Sequence, residues 1–156
     1  MRLRGMRFLM TVRRIGRVRL AVGITAALAA AASASASVAL APPVIHEPWT
    51  PLACPTHPSS TVAIEACLER AVSRSDHVID GKAATVFRLI RREQDRTSFV
   101  SGEHAWLSYR RRSCTAVASV YTGGTAEPIA FLSCEKRLNA RHIVDLAVAA
   151  QILRHR

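Results

Sequence analysis

Residues 103–134, EHAWLSYRRRSCTAVASVYTGGTAEPIAFLSC, decide how this chain is expected to fold. They contain one of the two tryptophans, both tyrosines, the only Gly-Gly pair and two of the four cysteines. From just before this stretch, five positions recur at spacings of three, four and seven, which is the period of one helical face. The face predicted from these spacings holds Phe99, Trp106, Arg110, Ser113 and Val117.

A tight turn is predicted at Gly123 and Gly124, because glycine enters left-handed backbone conformations without a steric cost. Thr125 or Glu127 is then expected to cap a following helix. Pro128 fits the first turn of that helix, where a backbone N–H has no helical acceptor. The stretch is therefore predicted to be a helix, a turn and a second helix.

Two longer amphipathic patterns flank this unit. The first has apolar steps of three and four, at Ile64, Leu68, Val72, Ser75, Ile79, Ala83, Val86 and Ile90, and predicts a helix of about 45 Å. Gly81 is its weak point, and its polar side is expected to hold Arg70, Arg74, Asp76, Lys82 and Arg88. The second pattern follows the turn, at Ile129, Leu132, Lys136, Ala140, Ile143, Ala147, Ala150 and Leu153.

No stretch shows sustained period-two alternation, so no strand is predicted. Each of the three predicted helices has an apolar stripe that it cannot bury alone. The predicted fold is all-α, an antiparallel three-helix bundle over residues 61–154.

The N-terminus has the pattern of a secretory signal. The first 41 residues hold seven arginines and no acidic residue, and residues 20–32, LAVGITAALAAAA, form an apolar run. This run is too short to cross about 30 Å of hydrocarbon. We predict a signal peptide over residues 1–36, cleaved after Ala36, with Ala41 as the alternative.

General secretion is favoured over twin-arginine export, because Ile15-Gly16 after Arg13-Arg14 fits the twin-arginine motif poorly. Leu52-Ala53-Cys54 lies too far past the apolar run to be a lipid attachment site. The predicted location is therefore secreted or periplasmic.

The net charge of +11 is largely a property of the leader. Removing its seven arginines from the 22 basic residues leaves 15 against 11 acidic residues, a net charge of +4. A nucleic-acid partner is therefore not predicted. Two local arginine clusters remain, and they make contact with an acidic membrane surface conceivable: Arg88, Arg91, Arg92 and Arg96, and Arg110, Arg111 and Arg112.

Six prolines between Pro42 and Pro58 predict an extended arm over residues 37–60. Ser60 or Thr61 is expected to cap the helix that follows. The arm also contains the first cysteine, Cys54.

The four cysteines are expected to form disulfides, since the chain has an export signal. Three pairings are possible, and the local one, Cys54–Cys67 and Cys114–Cys134, closes two short loops and agrees with the helical layout. A disulfide across the Gly-Gly turn would contribute about 3 kcal/mol. Zinc-type C-x-x-C spacing is absent, so no metal site is predicted.

The order W-x-x-Y-R, Cys, Gly-Gly, Cys and L-N-A-R resembles the LprI-type lysozyme inhibitor family. The residues that match are Trp106, Tyr109, Arg110, Cys114, Gly123, Gly124, Cys134, Leu138 and Arg141, with Cys54, Thr61, Cys67 and Asp76 upstream. The resemblance spans roughly residues 54–149. It implies a four-cysteine helical domain that inhibits lysozyme by protein–protein contact in the cell envelope.

The chain departs from the family pattern at polar positions. Ile79-Asp80 stands where the family has Leu-Asn, and Ala83 lies near the position of a typical tyrosine. Glu103 replaces a glutamine, and Arg111 stands where an acidic residue is usual. The scaffold residues are thus retained better than the polar ones.

No catalytic residue and no cofactor are predicted. The chain lacks G-x-S-x-G, a phosphate-binding glycine loop, a metalloprotease histidine pair and a recognisable carboxylate pair. The histidines are scattered and expected to face solvent, at His46, His57, His77, His104, His142 and His155.

Three scaffold or partner-binding roles are proposed from the sequence. Trp106 is expected to be a core residue, with a binding hot spot as the alternative. Arg110 is expected to bond a helix end or a buried acid, either Asp76 or Asp145. The predicted partner-binding face comprises Tyr121, Thr122, Gly123, Gly124 and Thr125 of the turn, together with Arg111 and Arg112.

The function expected from the resemblance is inhibition of a lysozyme. A protein of net charge +4 lacks overall electrostatic attraction to the strongly basic animal-type lysozymes. The alternative is an envelope binding module of the same fold with an acidic target, and a third possibility is a purely structural periplasmic domain.

Overall fold

The structure is a computed structural model, and it describes residues 39–156. The predicted leader and its cleavage site after Ala36 lie outside the described residues. Three helices follow one another: α1 (Thr61–Leu89), α2 (Glu93–Ala118) and α3 (Glu127–Arg154), with a short 3₁₀ turn at Ser119–Tyr121. The described residues contain no strand, so the predicted all-α bundle is confirmed.

The helices run up, down and up, and α3 packs against both α1 and α2. Two short connections reverse the direction of the chain: residues 90–92 between α1 and α2, and the segment with the Gly-Gly turn between α2 and α3. Nε of Arg96 donates to the carbonyl oxygen of Ile90 at 2.8 Å and closes the first connection.

Helix α1 begins as predicted, because Oγ of Ser60 accepts a hydrogen bond from the backbone N–H of Ala63 at 3.2 Å. It continues through Gly81 for 29 residues. Its predicted stripe is buried at Val72, Ile79, Ala83 and Val86. Two predictions for α1 are wrong: Ile64 is exposed, and Asp76, expected on the polar side, is only 3% exposed.

On α2 and α3, the buried face differs from the one that the apolar spacing predicts. Val117 is exposed, and α2 buries Val100, Glu103, Arg110, Cys114 and Ala118. On α3, Lys136, Ala140 and Ala147 are exposed, and the buried residues are Leu132, Cys134, Glu135, Asn139, His142, Leu146 and Ala150. The apolar pattern misplaced both faces because polar side chains occupy the middle of each buried stripe.

The Gly-Gly turn has one residue in the left-handed region, Gly123, with a φ of 79°. The N–H of Gly124 donates to the carbonyl oxygen of Tyr121 at 2.9 Å. The predicted caps are wrong, since Ala126 occupies the N-cap of α3 without a side-chain bond. Glu127 instead begins the helix, and its Oε2 accepts the N–H of Gly123 at 2.9 Å.

The apolar core lies toward the C-terminal halves of α1 and α3. Its buried members are Ile79, Ala83, Val86, Ile90, Leu146 and Ala150, and Phe99 and Trp106 of α2 pack against them. Within residues 39–156, none of the helices has the length and apolar composition to cross a membrane.

The described part of the arm, residues 39–60, has no helix or strand and contacts the bundle at several points. Ile45 packs against the apolar core, and its N–H donates to Oδ1 of Asp80 at 3.1 Å. Farther along, Nε of Arg70 donates to the carbonyl oxygen of Leu52 at 2.6 Å. The arm is therefore part of the folded unit.

Both predicted disulfides are confirmed, Cys54–Cys67 between the arm and α1 and Cys114–Cys134 between α2 and α3. The second pair is buried, with Cys114 fully inaccessible and Cys134 only 4% exposed. It joins α2 and α3 on either side of the Gly-Gly turn.

Replacing both Cys114 and Cys134 with alanine should lower the free energy of unfolding by about 2–5 kcal/mol. The loss arises because the unfolded chain gains freedom when a loop of 20 residues is opened. Urea unfolding followed by circular dichroism measures it. An unchanged midpoint and slope would show that the helix packing holds the hairpin without the disulfide.

Candidate functional site

A buried ionic cluster lies at the centre of the bundle, around the guanidinium of Arg110. Its Nη1 donates to Oδ1 of Asp76 at 2.6 Å and to Oδ1 of Asn139 at 2.9 Å. Its Nη2 donates to Oε1 of Glu47, and its Nε lies 3.4 Å from Oε1 of Glu135. One side chain thus connects the arm, α1, α2 and α3, and of the two predicted partners it is Asp76 that bonds it.

Asn139 is fully buried and completes the cluster. Its Nδ2 donates to Oγ of Ser75 and to Oδ1 of Asp76, both at 2.8 Å, while its Oδ1 accepts from Arg110. The amide therefore uses both ends, and this fixes its orientation.

The cluster holds three carboxyl groups against one guanidinium. Burial raises the pKa of Asp76 and raises the pKa of Glu135 to about 7, although Arg110 opposes both shifts. Burial alone would lower the pKa of Arg110, but Glu135, Asp76 and Glu47 outweigh it and raise that pKa. Oδ2 of Asp76 and Oε2 of Glu135 accept no hydrogen bond from the described protein atoms, consistent with a proton retained on the cluster near neutral pH.

A second polar group adjoins the cluster. Nε2 of His142 lies 3.0 Å from Oε2 of Glu103, and the imidazole stacks on Trp106 with 3.8 Å between ring centroids. The guanidinium of Arg110 lies 5.6 Å from the centre of the Trp106 ring. Trp106 is half-buried and packs against the apolar core.

The prediction that every histidine faces solvent is wrong for His142, which is 9% exposed. A signal for it was present in the spacing: Glu135, Asn139 and His142 follow one another at steps of four and three, which places them on one helical face. Glu103 and Arg110 lie seven residues apart on α2 and face them.

A cleft of about 560 Å³ opens beside the Gly-Gly turn. It lies between the arm, the first turns of α1 and α3, and the last turns of α2. Its apolar surface comes mainly from Pro48, Trp49, Pro128 and Phe131, and its ionisable residues are Glu47, Glu65, Glu69, Glu127 and Arg111. The sequence did not predict this cleft, because its walls come from the arm and from all three helices.

The predicted partner-binding residues lie at the same end of the molecule. Residues 121–125 are exposed, and Thr122 also lines the cleft. Arg111 lines the cleft as well. Arg112 is exposed, and its Nε donates to the carbonyl oxygen of Ser108 at 3.3 Å. The structure therefore brings the turn and Arg111 together around one cleft.

The other residues shared with the resemblance divide into two groups. Arg110 and Asp76 belong to the buried cluster. Tyr109 and Arg141 are exposed and Leu138 is half-buried, so none of these three joins the cluster. In the described part of the chain, no three His, Cys, Asp or Glu side chains form a group that could hold a metal ion.

The family model described as "Lysozyme inhibitor LprI" matches residues 53–146. No curated protein and no solved structure matches the chain significantly. The matched range includes both disulfides and the Gly-Gly turn. The matched range does not include Glu47, which bonds Arg110 in the buried cluster, or Trp49, which lines the cleft.

The high pKa of Glu135 predicts a loss of stability with rising pH. Its folded-state pKa of about 7 exceeds the ordinary 4.5, so its contribution is complete below pH 4.5 and is lost as the pH passes 7. This difference between the two pKa values corresponds to roughly 3 kcal/mol in the free energy of unfolding. Glu135→Gln keeps the side-chain shape and removes the titrating carboxyl group. In urea unfolding, it should therefore flatten the decline in the free energy of unfolding between pH 5 and pH 8. Equal pH slopes for the two proteins would contradict the assignment.

Proposed function

The chain belongs to the LprI lysozyme inhibitor family, and from this premise we propose that it inhibits a lysozyme by direct protein contact. The contact surface is the end of the bundle that carries residues 121–125, Arg111 and Arg112. The observation that carries this assignment is the exposed turn held between two helices by the Cys114–Cys134 disulfide.

Rigidity is the physical advantage of this turn. The N–H of Gly124 bonds to Tyr121, and Oγ1 of Thr122 donates to the carbonyl oxygen of Ser119 at 2.8 Å. The carboxylate of Glu127 holds the N–H of Gly123. A turn ordered before binding loses little conformational entropy when it docks, which favours affinity.

Arginines beside the turn supply charge for this contact. Arg111 and Arg112 are exposed, and glycosidases such as lysozymes rely on paired carboxyl groups in their clefts. Arginine binds carboxylates through two parallel hydrogen bonds, which are stronger than bonds between neutral groups. We therefore assign these two arginines to the rim of the lysozyme cleft.

The proposed setting is the cell envelope or the medium outside the cell. The leader pattern of residues 1–36 supports export, and two disulfides suit an oxidising compartment. In this proposal residues 37–60 are the arm and residues 61–154 the helical inhibitor domain. The protein acts by occupying an enzyme and performs no catalysis of its own.

The opposite end of the bundle supports a second candidate function. Arg91, Arg92 and Arg156 meet there around a depression, and Arg92 is paired with Asp95 at 2.8 Å. Such a cationic end suits an acidic envelope surface, such as anionic lipid headgroups. Binding there would be strongly salt-dependent and independent of the Gly-Gly turn.

The proposed contact is tested with two double variants, Tyr121→Ala with Thr122→Ala, and Arg111→Ser with Arg112→Ser. Each should weaken inhibition of lysozyme turnover by about tenfold or more, since truncating an interface hot spot costs about 2 kcal/mol or more and a loss of about 1.4 kcal/mol is a factor of ten. Inhibition constants against several lysozyme types measure the effect.

The matched control is Arg91→Ser with Arg156→Ser, which removes the same charge from the other end and should leave inhibition unchanged. Circular dichroism checks that each variant remains folded. If the wild-type protein inhibits and neither turn-end variant is weaker, the assigned contact surface is wrong. If the wild-type protein inhibits no lysozyme, the lysozyme assignment fails.

A further inference from the structure

We propose that the cleft beside the Gly-Gly turn binds one basic side chain of the partner protein, the guanidinium of an arginine or the ammonium of a lysine. This inference rests on the proposed function and deepens it, because it adds a pocket in the inhibitor that receives a residue of the lysozyme. The argument depends on the cleft's size, the charges of its walls and its position.

The shape of the cleft suits a long, flexible cationic side chain. Its volume of about 560 Å³ is large enough to admit such a side chain, and its walls combine Trp49, Pro48 and Phe131 with carboxylates. Arginine and lysine pack their methylene stems on apolar surface while the charged head stays with polar groups. An indole in the wall also attracts cations through its ring face.

Two carboxylates in the cleft have no partner among the described residues. Glu65 and Glu69 are half-buried, and neither appears in a salt bridge or a side-chain hydrogen bond there. They are four residues apart on α1 and therefore on one face, where like charges repel. A cation between them would relieve that repulsion.

The helix itself does not account for these two acids. Favourable interaction with a helix N-terminus is confined to the first turn, and the first turn of α1 holds no acidic residue. The remaining carboxylates of the cleft are already engaged: Glu47 with Arg110, and Glu127 with the N–H of Gly123.

The charge balance of the cleft favours a cation from outside. Four glutamates line it against one arginine, Arg111. Glu47 is shared with a cluster that already has more carboxyl groups than guanidinium groups. The local surface is therefore acidic in a protein whose predicted mature net charge is +4.

The position of the cleft links it to the proposed contact surface. Thr122 belongs to the Gly-Gly turn and also lines the cleft, so a protein docked on the turn covers the cleft entrance. A local acidic pocket gives electrostatic complementarity to a basic lysozyme, which the net charge of the inhibitor does not supply.

The first test uses a small probe and no lysozyme. The peptide acetyl-Gly-Arg-Gly-amide is titrated into the oxidised protein, and the indole N–H resonances of Trp49 and Trp106 are followed by NMR. We expect the Trp49 resonance to shift and that of Trp106, which does not line the cleft, to stay. The same peptide with citrulline, which has arginine's shape without its charge, should bind at least about tenfold more weakly, as loss of a charge-assisted contact requires.

Charge-removing variants locate the site. Glu65→Gln with Glu69→Gln should lower the affinity for the arginine peptide by about tenfold or more. Glu93→Gln with Asp145→Asn removes two exposed acids elsewhere and should leave binding unchanged. Equal binding of the citrulline peptide, full binding by the Glu65/Glu69 variant, or no Trp49 shift would each overturn the proposal.

The same variants in the lysozyme assay separate this inference from the proposed function. Inhibition that weakens for Glu65→Gln with Glu69→Gln, and more at low salt than at high salt, supports the cleft as part of the contact. Unchanged inhibition in that variant would show that the cleft is not part of the contact. The contact surface proposed above, with the Gly-Gly turn, would then stand. If the peptide binds at Trp49 and the protein inhibits no lysozyme, the cleft is a site for a basic side chain and the partner is not a lysozyme.

Discussion

The fold depends on one buried guanidinium. Arg110 is 4% exposed, and removing a charge from water costs several kcal/mol unless partners replace its hydration. The partners come from every other segment: Glu47 from the arm, Asp76 from α1, and Glu135 from α3. Because these groups are distant in sequence, they meet only when the arm and the three helices are correctly assembled.

This constraint shapes the candidate site. The bond from Arg110 to Glu47 holds the arm against the bundle, and the next residues, Pro48 and Trp49, form one wall of the cleft. The opposite wall comes from the end of α2 and the start of α3, which the Cys114–Cys134 disulfide holds together. In the proposed function, the buried cluster acts indirectly, because it positions the surface assigned to the partner contact.

The sequence predicted most of the fold and little of the site. The three helices, the cap at Ser60 and the left-handed Gly123 follow from local chemistry, which is readable from a single chain. The cysteine pairing was predicted only because the local pairs agree with that helical layout. The helical faces were predicted from apolar spacing, and this failed where the buried stripe is polar, at Glu135, Asn139 and His142 of α3. The cleft could not be predicted, because Trp49, Glu65 and Phe131 approach one another only through tertiary packing.

The central claim is that the guanidinium of Arg110 holds the arm and the three helices together. The most direct test is Arg110→Lys, which keeps the positive charge and removes the planar guanidinium. An ammonium is a point charge and cannot satisfy the separate carboxylates in the same way. The account predicts a loss of about 2–4 kcal/mol in the free energy of unfolding at pH 7, with faster amide exchange at Ile45 in the arm. The exposed Arg112→Lys is the matched control and should change neither quantity. An Arg110→Lys protein as stable as the wild type, with the same exchange at Ile45, would contradict the account.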